Sequence, residues 1–286
     1  MSSKLDPATV ERYAKDGILF PVRVMDETEA SDLRRRVEAL AEAEGGKLSR
    51  ATNQKPHLLL PWLADLVRHP RVLDPVESLL GPNILCWASG FFWKPASDPA
   101  FISWHQDSTY WGLSHADIVT AWIALTPSTP ESGCMQVVPG THHKEQVAHK
   151  DTFAENNLLS RGQEIAVEVD PKDVVDVVLQ PGEMSLHHVR LFHGSEPNRS
   201  AEPRIGFAVR YIPTYIRQTA GQRDSATLVR GFDDYGHFDL EPKPESDFDP
   251  DCVAFHKAML ENAEKILYAG AAKVKAFTPA DRRTGM

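Results

Sequence analysis

The stretch PGEMSLHHVRLFHGSEPNRSAEPRIGFAVRYI, residues 181–212, decides the fold. An apolar run at 184–192 follows the turn element Pro181-Gly182-Glu183. A polar, Pro-containing segment separates it from the strand that opens at Arg204. Side chains alternate across a strand with period two. Arg204, Gly206, Ala208 and Arg210 therefore share one face, and Ile205, Phe207, Val209 and Tyr211 share the other. The second face is built to pack. The first sets small residues between two arginines and leaves room for something anionic. The same texture extends back to Ile84, where short apolar runs at 84–93, 101–105, 118–125, 134–138, 164–169 and 174–179 alternate with Pro, Gly and Asn turns. Many short strands at this spacing predict a sandwich or jelly roll.

The flanks read differently. Residues 7 to 15 and 26 to 44 are expected to be helices, the second capped by Asp26, with a short strand at 17–22 between them. Further short helices are expected over 62–80, stopped by Gly81-Pro82. The stretch 232–251 is acidic and reads as a solvated loop, and 252–275 reads as a closing amphipathic helix. The predicted class is α+β, with helices segregated around a double-stranded β-helix. It forms one domain over 1–286: a mainly helical part at 1–83, the β-helix core at 84–231, and the acidic loop and closing helix at 232–286.

Composition bounds the function. Hydrophobic residues make up 42% of the 286 and charged residues 25%, the balance of a globular protein. The net charge of −9 and the lack of a basic stripe argue against nucleic-acid binding. No apolar run reaches the length of a membrane span, and the amino terminus lacks a signal-peptide core. A cytoplasmic location is therefore expected. Cys86, Cys134 and Cys252 are scattered and odd in number, as befits reduced thiols rather than a disulfide framework.

The chemistry centres on His105-Gln106-Asp107, within SWHQDSTYWGL. A histidine and a carboxylate two residues apart project from one side of an extended strand. With a distant histidine they would complete a 2-His-1-carboxylate facial triad, which leaves about three of roughly six iron positions open. His193 is the candidate third ligand. The competing reading is a neutral histidine hydrogen-bonded to a nearby carboxylate. The surrounding Phe101, Ile102, Trp104, Tyr110 and Trp111 favour a metal, because a charged pair in apolar surroundings is costly when unpaired. Eleven residues past His193 comes Arg204, suited to bidentate recognition of a carboxylate, and Ser195 offers a hydroxyl donor. A structural ion pair at a strand edge is the alternative for either strand arginine. His187 and His188 are read as non-ligands, His142-His143 as a loop pair, and His115, His149, His237 and His256 as surface or cap residues.

Four ordered blocks carry a resemblance: KDGILFPVRVMDETEASDLRRRVEAL from Lys15, WHQD at 104–107, DIVTAWIALTPSTPESGCMQVVPGTHH at 117–143, and PGEMSLHHVRLFHGSEPNRS at 181–200 followed by Arg204. Together they resemble the phytanoyl-CoA dioxygenase family, over nearly the whole chain. The resemblance implies a double-stranded β-helix and an Fe(II)/2-oxoglutarate-dependent dioxygenase. It implies Fe(II) on His105, Asp107 and His193, and 2-oxoglutarate on Arg204 and Ser195 with Trp122 beside it. It further implies oxidative decarboxylation to succinate and carbon dioxide, coupled to hydroxylation of a substrate C–H bond by O2. Asp107 stands where related halogenases have Ala or Gly, which favours oxygen insertion over halogenation.

The expected partners are a small-molecule substrate, O2 and 2-oxoglutarate, with neither nucleic acid nor membrane, and the sequence does not choose between monomer and homo-oligomer. Lys55, His57, Tyr110, Trp111 and Arg210 are the candidate substrate residues, and an anionic or zwitterionic metabolite would suit Lys55, His57 and Arg210. Two other classes stay open at this point: a cupin-like metalloenzyme that uses no 2-oxoacid, such as an isomerase or ring-cleaving dioxygenase, and a metal-dead β-helix acting as a binding module.

Overall fold

The computed structural model describes residues 3–152, 156–159, 163–220 and 223–267. The helical flank comprises α1 (Pro7–Asp16), α2 (Glu27–Ala43), α3 (Arg50–Asn53), α4 (Pro61–Leu66) and α5 (Pro70–Leu80), with α6 (Pro250–Leu267) at the far end. The expected closing helix thus starts two residues early, and its 268–275 part lies outside the described residues. Local chemistry sets the helix starts. Asp26 and Glu29 form a reciprocal capping box on α2, and Asp6 caps α1 ahead of Pro7.

The strands are β1 (Ile18–Arg23), β2 (Ile84–Lys94), β3 (Ile102–His105), β4 (Val119–Ala124), β5 (Met135–Val138), β6 (His149–Asp151), β7 (Gln163–Ile165), β8 (Val175–Val177), β9 (Glu183–His188), β10 (Phe192–Ser195), β11 (Arg204–Pro213), β12 (Ser225–Arg230) and β13 (Asp239–Leu240). They form a seven-stranded sheet, β1-β9-β4-β11-β2-β12-β13, a four-stranded sheet, β3-β10-β5-β8, and a separate hairpin of β6 and β7. All pairings are antiparallel except β12 with β13. This is the predicted mixture of helices with a jelly-roll core.

Period-two alternation divides the packing as expected. Ile205, Phe207, Val209 and Tyr211 of β11 join Ala121 and Ile123 of β4 in the main core, against Val37, Leu63, Val72 and Val76 from the helices. The Tyr211 hydroxyl donates to the Val67 carbonyl at 2.9 Å and ties this face to the helical layer. The opposite face looks across to the small sheet. There Trp122, Ala124 and Ala208 meet Met135, Val137 and Leu191 in a second cluster. The cavity described next opens between the two sheets.

One apolar run proves to be two strands. The chain leaves the large sheet at His188, turns through Val189–Leu191 and enters the small sheet as β10. The turn is held by Leu191 N–H donating to the His188 carbonyl at 2.9 Å and by Arg190 N–H donating to His188 Nδ1 at 3.1 Å. This crossing delivers His193 to the sheet that carries His105.

Candidate active site

His105 closes β3, and His193 lies directly opposite it on β10, with ring centroids 4.0 Å apart. Each ring is oriented in the same way. His105 Nδ1 lies 2.9 Å from the Ser103 carbonyl and His193 Nδ1 lies 2.9 Å from the Leu191 carbonyl. A carbonyl only accepts, so both Nδ1 atoms carry the proton and both Nε2 atoms present a lone pair. Such a second contact is what orients a metal-binding imidazole. The strand ends before Asp107, which begins a tight helical turn instead of continuing the extended run. Gln106 stays extended, and Asp107 N–H donates to the Val189 carbonyl at 3.0 Å. The expected same-side placement therefore survives a change in backbone geometry.

Asp107 Oδ1 lies 3.4 Å from His105 Nε2, and Oδ2 lies 3.9 Å from His193 Nε2. One ligand atom from each residue falls within 4.8 Å of the others, and no other such group of three occurs among the described residues. Two ligand atoms each about 2.1 Å from one ion lie at most about 4.2 Å apart. Both measured separations from Asp107 meet that limit. Burial pushes the Asp107 carboxyl up, but the close approach of the His105 and His193 rings and the charge of Arg210 outweigh it and hold the group well below the usual carboxylate range. Burial keeps His193 strongly biased towards its neutral form. Two imidazoles and one carboxylate, preset in orientation, fit a divalent ion.

Gln106 explains why the tripeptide is rigid. It is fully buried and points away from the cavity. Its Nε2 donates to the Arg190 carbonyl at 3.0 Å, and its Oε1 accepts from Val147 N–H and Gln146 Nε2 at 2.9 and 2.8 Å. Its own N–H donates to His149 Nε2 at 3.0 Å, so His149 is a site support and not a surface residue.

The cavity beside the triad has a volume of about 200 Å³. Arg204 closes one end. Its Nη1 donates to the Gly133 carbonyl at 2.7 Å, and its guanidinium packs 5.2 Å from the Trp122 ring. Its Nε is buried without a hydrogen-bond partner, and no described carboxylate pairs with it. Burial lowers Arg204 to about 10, so it stays charged at neutral pH. A buried, unpaired cation in a cavity wall is costly unless an anion joins it. Ser195 stands beside it and accepts a hydrogen bond from Lys94 Nζ at 2.8 Å. Lys94 is itself fully buried. It is the cross-strand partner of Arg204, and burial together with the Arg204 charge lowers it to about 7. Gly194 lies between His193 and Ser195 on β10 and lines the cavity. Its backbone also approaches β3 closely, where an added Cβ would lie 2.9 Å from the Ile102 carbonyl oxygen.

Trp111 and Arg210 line the other end of the cavity, with Thr120 and His187. Tyr110 closes the turn after Asp107, and its side chain lies outside the described residues. Leu158 and Leu159, from the segment joining β6 to β7, border the cavity and carry no sequence signal.

Lys55 and His57 are not brought to the cavity. Lys55 turns inward at φ 51°, and its Nζ meets Glu241 Oε1 at 2.6 Å and the Ser225 carbonyl at 2.8 Å. His57 lies 2.6 Å from Ser89 Oγ and 3.3 Å from Glu241 Oε2. Both are buried in a polar network behind the large sheet. The acidic stretch 232–251 is correspondingly not all solvated, since the Glu241 side chain is wholly buried. His256 and His142 are buried as well; they lie 2.6 Å from the Gln54 carbonyl and 3.0 Å from the Ala14 carbonyl.

Comparison with known proteins places this arrangement. Residues 13–206 match the family model described as phytanoyl-CoA dioxygenase. A probable alpha-ketoglutarate-dependent hypophosphite dioxygenase from Stutzerimonas stutzeri is 32% identical over 161 residues, covering 54% of this chain and 56% of that protein. The chain spans about half the length of the curated relatives it matches. Among solved structures, the non-heme monooxygenase ThoJ in its apo form superposes with a TM-score of 0.82 at 35% identity, covering 93% of this chain and all of that one (100%). CytC3 with Fe(II) and alpha-ketoglutarate gives 0.66 at 25% identity, covering 87% and 98%. With its family match running through both histidines, Asp107 and Arg204, the chain belongs to the phytanoyl-CoA dioxygenase family.

Proposed function

We propose that the chain, acting as one catalytic domain, is an Fe(II)/2-oxoglutarate-dependent dioxygenase that hydroxylates a C–H bond of a small metabolite and releases succinate and carbon dioxide. The observation that carries this reading is the pairing, in one cavity, of the His105–Asp107–His193 group with the buried and unpaired Arg204. His105, Asp107 and His193 would hold Fe(II), and Arg204 with Ser195 would hold the far carboxylate of 2-oxoglutarate. When bound, the iron and cosubstrate supply the oxidising power for C–H cleavage. The chain's residues do the rest. The Ser103 and Leu191 carbonyls keep both imidazoles in the ligating tautomer. Arg204, braced on Gly133 and Trp122, fixes the cosubstrate's orientation. Leu158, Leu159 and Trp111 exclude water from the reacting space. A cavity of about 200 Å³ favours a compact substrate.

Anaerobic titration with Fe(II) and then 2-oxoglutarate tests the assignment. Asp107→Ala and His193→Ala should lose iron affinity. Arg204→Met should bind iron normally and bind 2-oxoglutarate at least about tenfold more weakly, the scale of a lost charge-assisted bidentate contact. An Arg204→Met protein with unchanged 2-oxoglutarate affinity would favour a cupin-like enzyme that uses no 2-oxoacid. Screening metabolites for substrate-triggered succinate then identifies the substrate.

A further inference from the structure

At the end of the cavity away from Arg204, three polar side chains stand in a row across adjacent strands. Arg210 of β11 is in register with Thr120 of β4, and Thr120 is in register with His187 of β9. Neighbouring strands lie about 4.8 Å apart, so the row spans about 10 Å. All three residues line the cavity. None of the three is satisfied by a described residue. Thr120 Oγ1 and His187 Nδ1 are buried with no hydrogen-bond partner. The Arg210 guanidinium lies against Phe92 and Trp111, 5.4 and 5.8 Å from their ring centroids, and makes no hydrogen bond or ion pair with a described residue. His187 Nε2 lies 3.9 Å from Asp107 Oδ2, so the row begins beside the triad.

Buried polar groups are ordinarily paired, and a run of unpaired ones facing a cavity indicates that a ligand supplies the partners. A guanidinium confined by two aromatic rings has little freedom to reorient and offers its remaining N–H groups to the cavity. Those groups match two coplanar oxygens, and the neighbouring threonine hydroxyl can reach a third acceptor position. We propose that Arg210 and Thr120, with His187 beside them, form a seat for an oxyanion of the substrate, a carboxylate or a phosphorus oxyanion, distinct from the Arg204 site. The seat puts the charged group against the aromatic wall and leaves the adjoining carbon facing the triad. The assignment depends on the oxygenase reading for what happens to that carbon, whereas occupancy of the seat can be measured without turnover.

Butyrate, propylphosphonate and neutral butyramide are suitable probes of similar size. They are titrated into the Fe(II)-loaded protein without oxygen, with and without 2-oxoglutarate, following tryptophan fluorescence, to which Trp111 on Arg210 should contribute. The wild type should bind at least one oxyanion about tenfold or more tightly than butyramide, and the tighter of the two identifies its chemistry. Arg210→Met should remove that preference while 2-oxoglutarate affinity stays within about twofold. Arg210→Lys should retain part of it, because the charge remains without the fork. Thr120→Val should weaken oxyanion binding severalfold, by roughly the effect of one hydrogen bond. A wild type that shows no preference over butyramide overturns the proposal. So does an Arg210→Met protein that binds oxyanions normally, or one that loses 2-oxoglutarate instead. Failure of the oxygenase reading looks different: 2-oxoglutarate does not bind, or binds equally well without Arg204, whatever the oxyanion titration gives.

Discussion

Adding one methyl group at Gly206 should weaken cosubstrate binding without touching any polar residue. A Cβ built there would lie 1.9 Å from Trp122 Cζ2, and 2.3 and 2.4 Å from Cε2 and Cη2. Separations under 3 Å are not tolerated, and the obstruction is a buried ring rather than a flexible chain end. Trp122 is 6% exposed and packed among Met135, Ala124 and Ala208, so it cannot swing clear without disturbing the second core cluster. Overpacking of this kind costs about 1–3 kcal/mol. For a chain of this size that corresponds to a fall in Tm of roughly 2–5 °C. The displaced ring is also the one against which the Arg204 guanidinium rests at 5.2 Å. Gly206→Ala should therefore weaken 2-oxoglutarate binding in calorimetry as well as lower the urea midpoint. Trp122→Leu removes the obstructing ring. In the double variant the methyl group should then cost little, giving a coupling energy of about 1 kcal/mol or more. Wild-type stability and cosubstrate affinity in Gly206→Ala, or strict additivity in the cycle, would refute the steric argument.

Gln106→Ala removes a buried hub and strands the Val147 N–H and the Arg190 carbonyl. It should cost about 1–3 kcal/mol in urea unfolding and lower metal affinity about 10- to 100-fold by releasing the two flanking ligands. Lys55→Met leaves Glu241 buried without its ammonium partner and should destabilise the fold by about 3–5 kcal/mol, with 2-oxoglutarate affinity unchanged in whatever fraction remains folded. Glu241 also predicts a pH dependence. Burial acts to raise its carboxyl, but Lys55 and His57 outweigh this and lower it from 4.5 to about 2. A depressed folded-state value contributes stability above about pH 4.5 that is lost as pH falls towards 2. The wild type's stability advantage over Glu241→Gln should thus be full at pH 6 and shrink through this window; an advantage independent of pH would contradict the buried-carboxylate assignment.

The strands at 84–94, 102–105, 119–124, 135–138 and 204–213 were legible because apolar alternation and turn residues bracket each of them. The 184–192 run was read as continuous because hydrophobicity does not report a change of sheet; the bend is made by hydrogen bonds around His188 that leave no compositional trace. SATLVR, now β12, lies between polar neighbours and carries no strong period. His105, Asp107, His193 and Arg204 could be read because their side-chain types are rare in such apolar surroundings and their order matches a family. Lys55 and His57 were misplaced for the converse reason. Their partner, Glu241, is 186 residues beyond Lys55, in a stretch whose acidity reads as solvent-facing. Pairwise burial of opposite charges over that distance cannot be read from local composition. His187 and Thr120 were invisible as a pair, since only strand register sets them side by side.

The two sheets divide the labour. His105 and His193 belong to the four-stranded sheet, and Asp107 follows directly from it. Arg204, Trp122, Thr120, His187 and Arg210 all belong to the seven-stranded sheet. Under the proposed function, substitutions in the larger sheet can therefore change which molecule is accepted while the edge that carries the candidate ligands keeps its backbone and its hydrogen bonds. Such a chain can diverge in appetite at constant chemistry, and a designer wishing to retarget it should randomise positions 120, 187 and 210 and leave the smaller sheet alone.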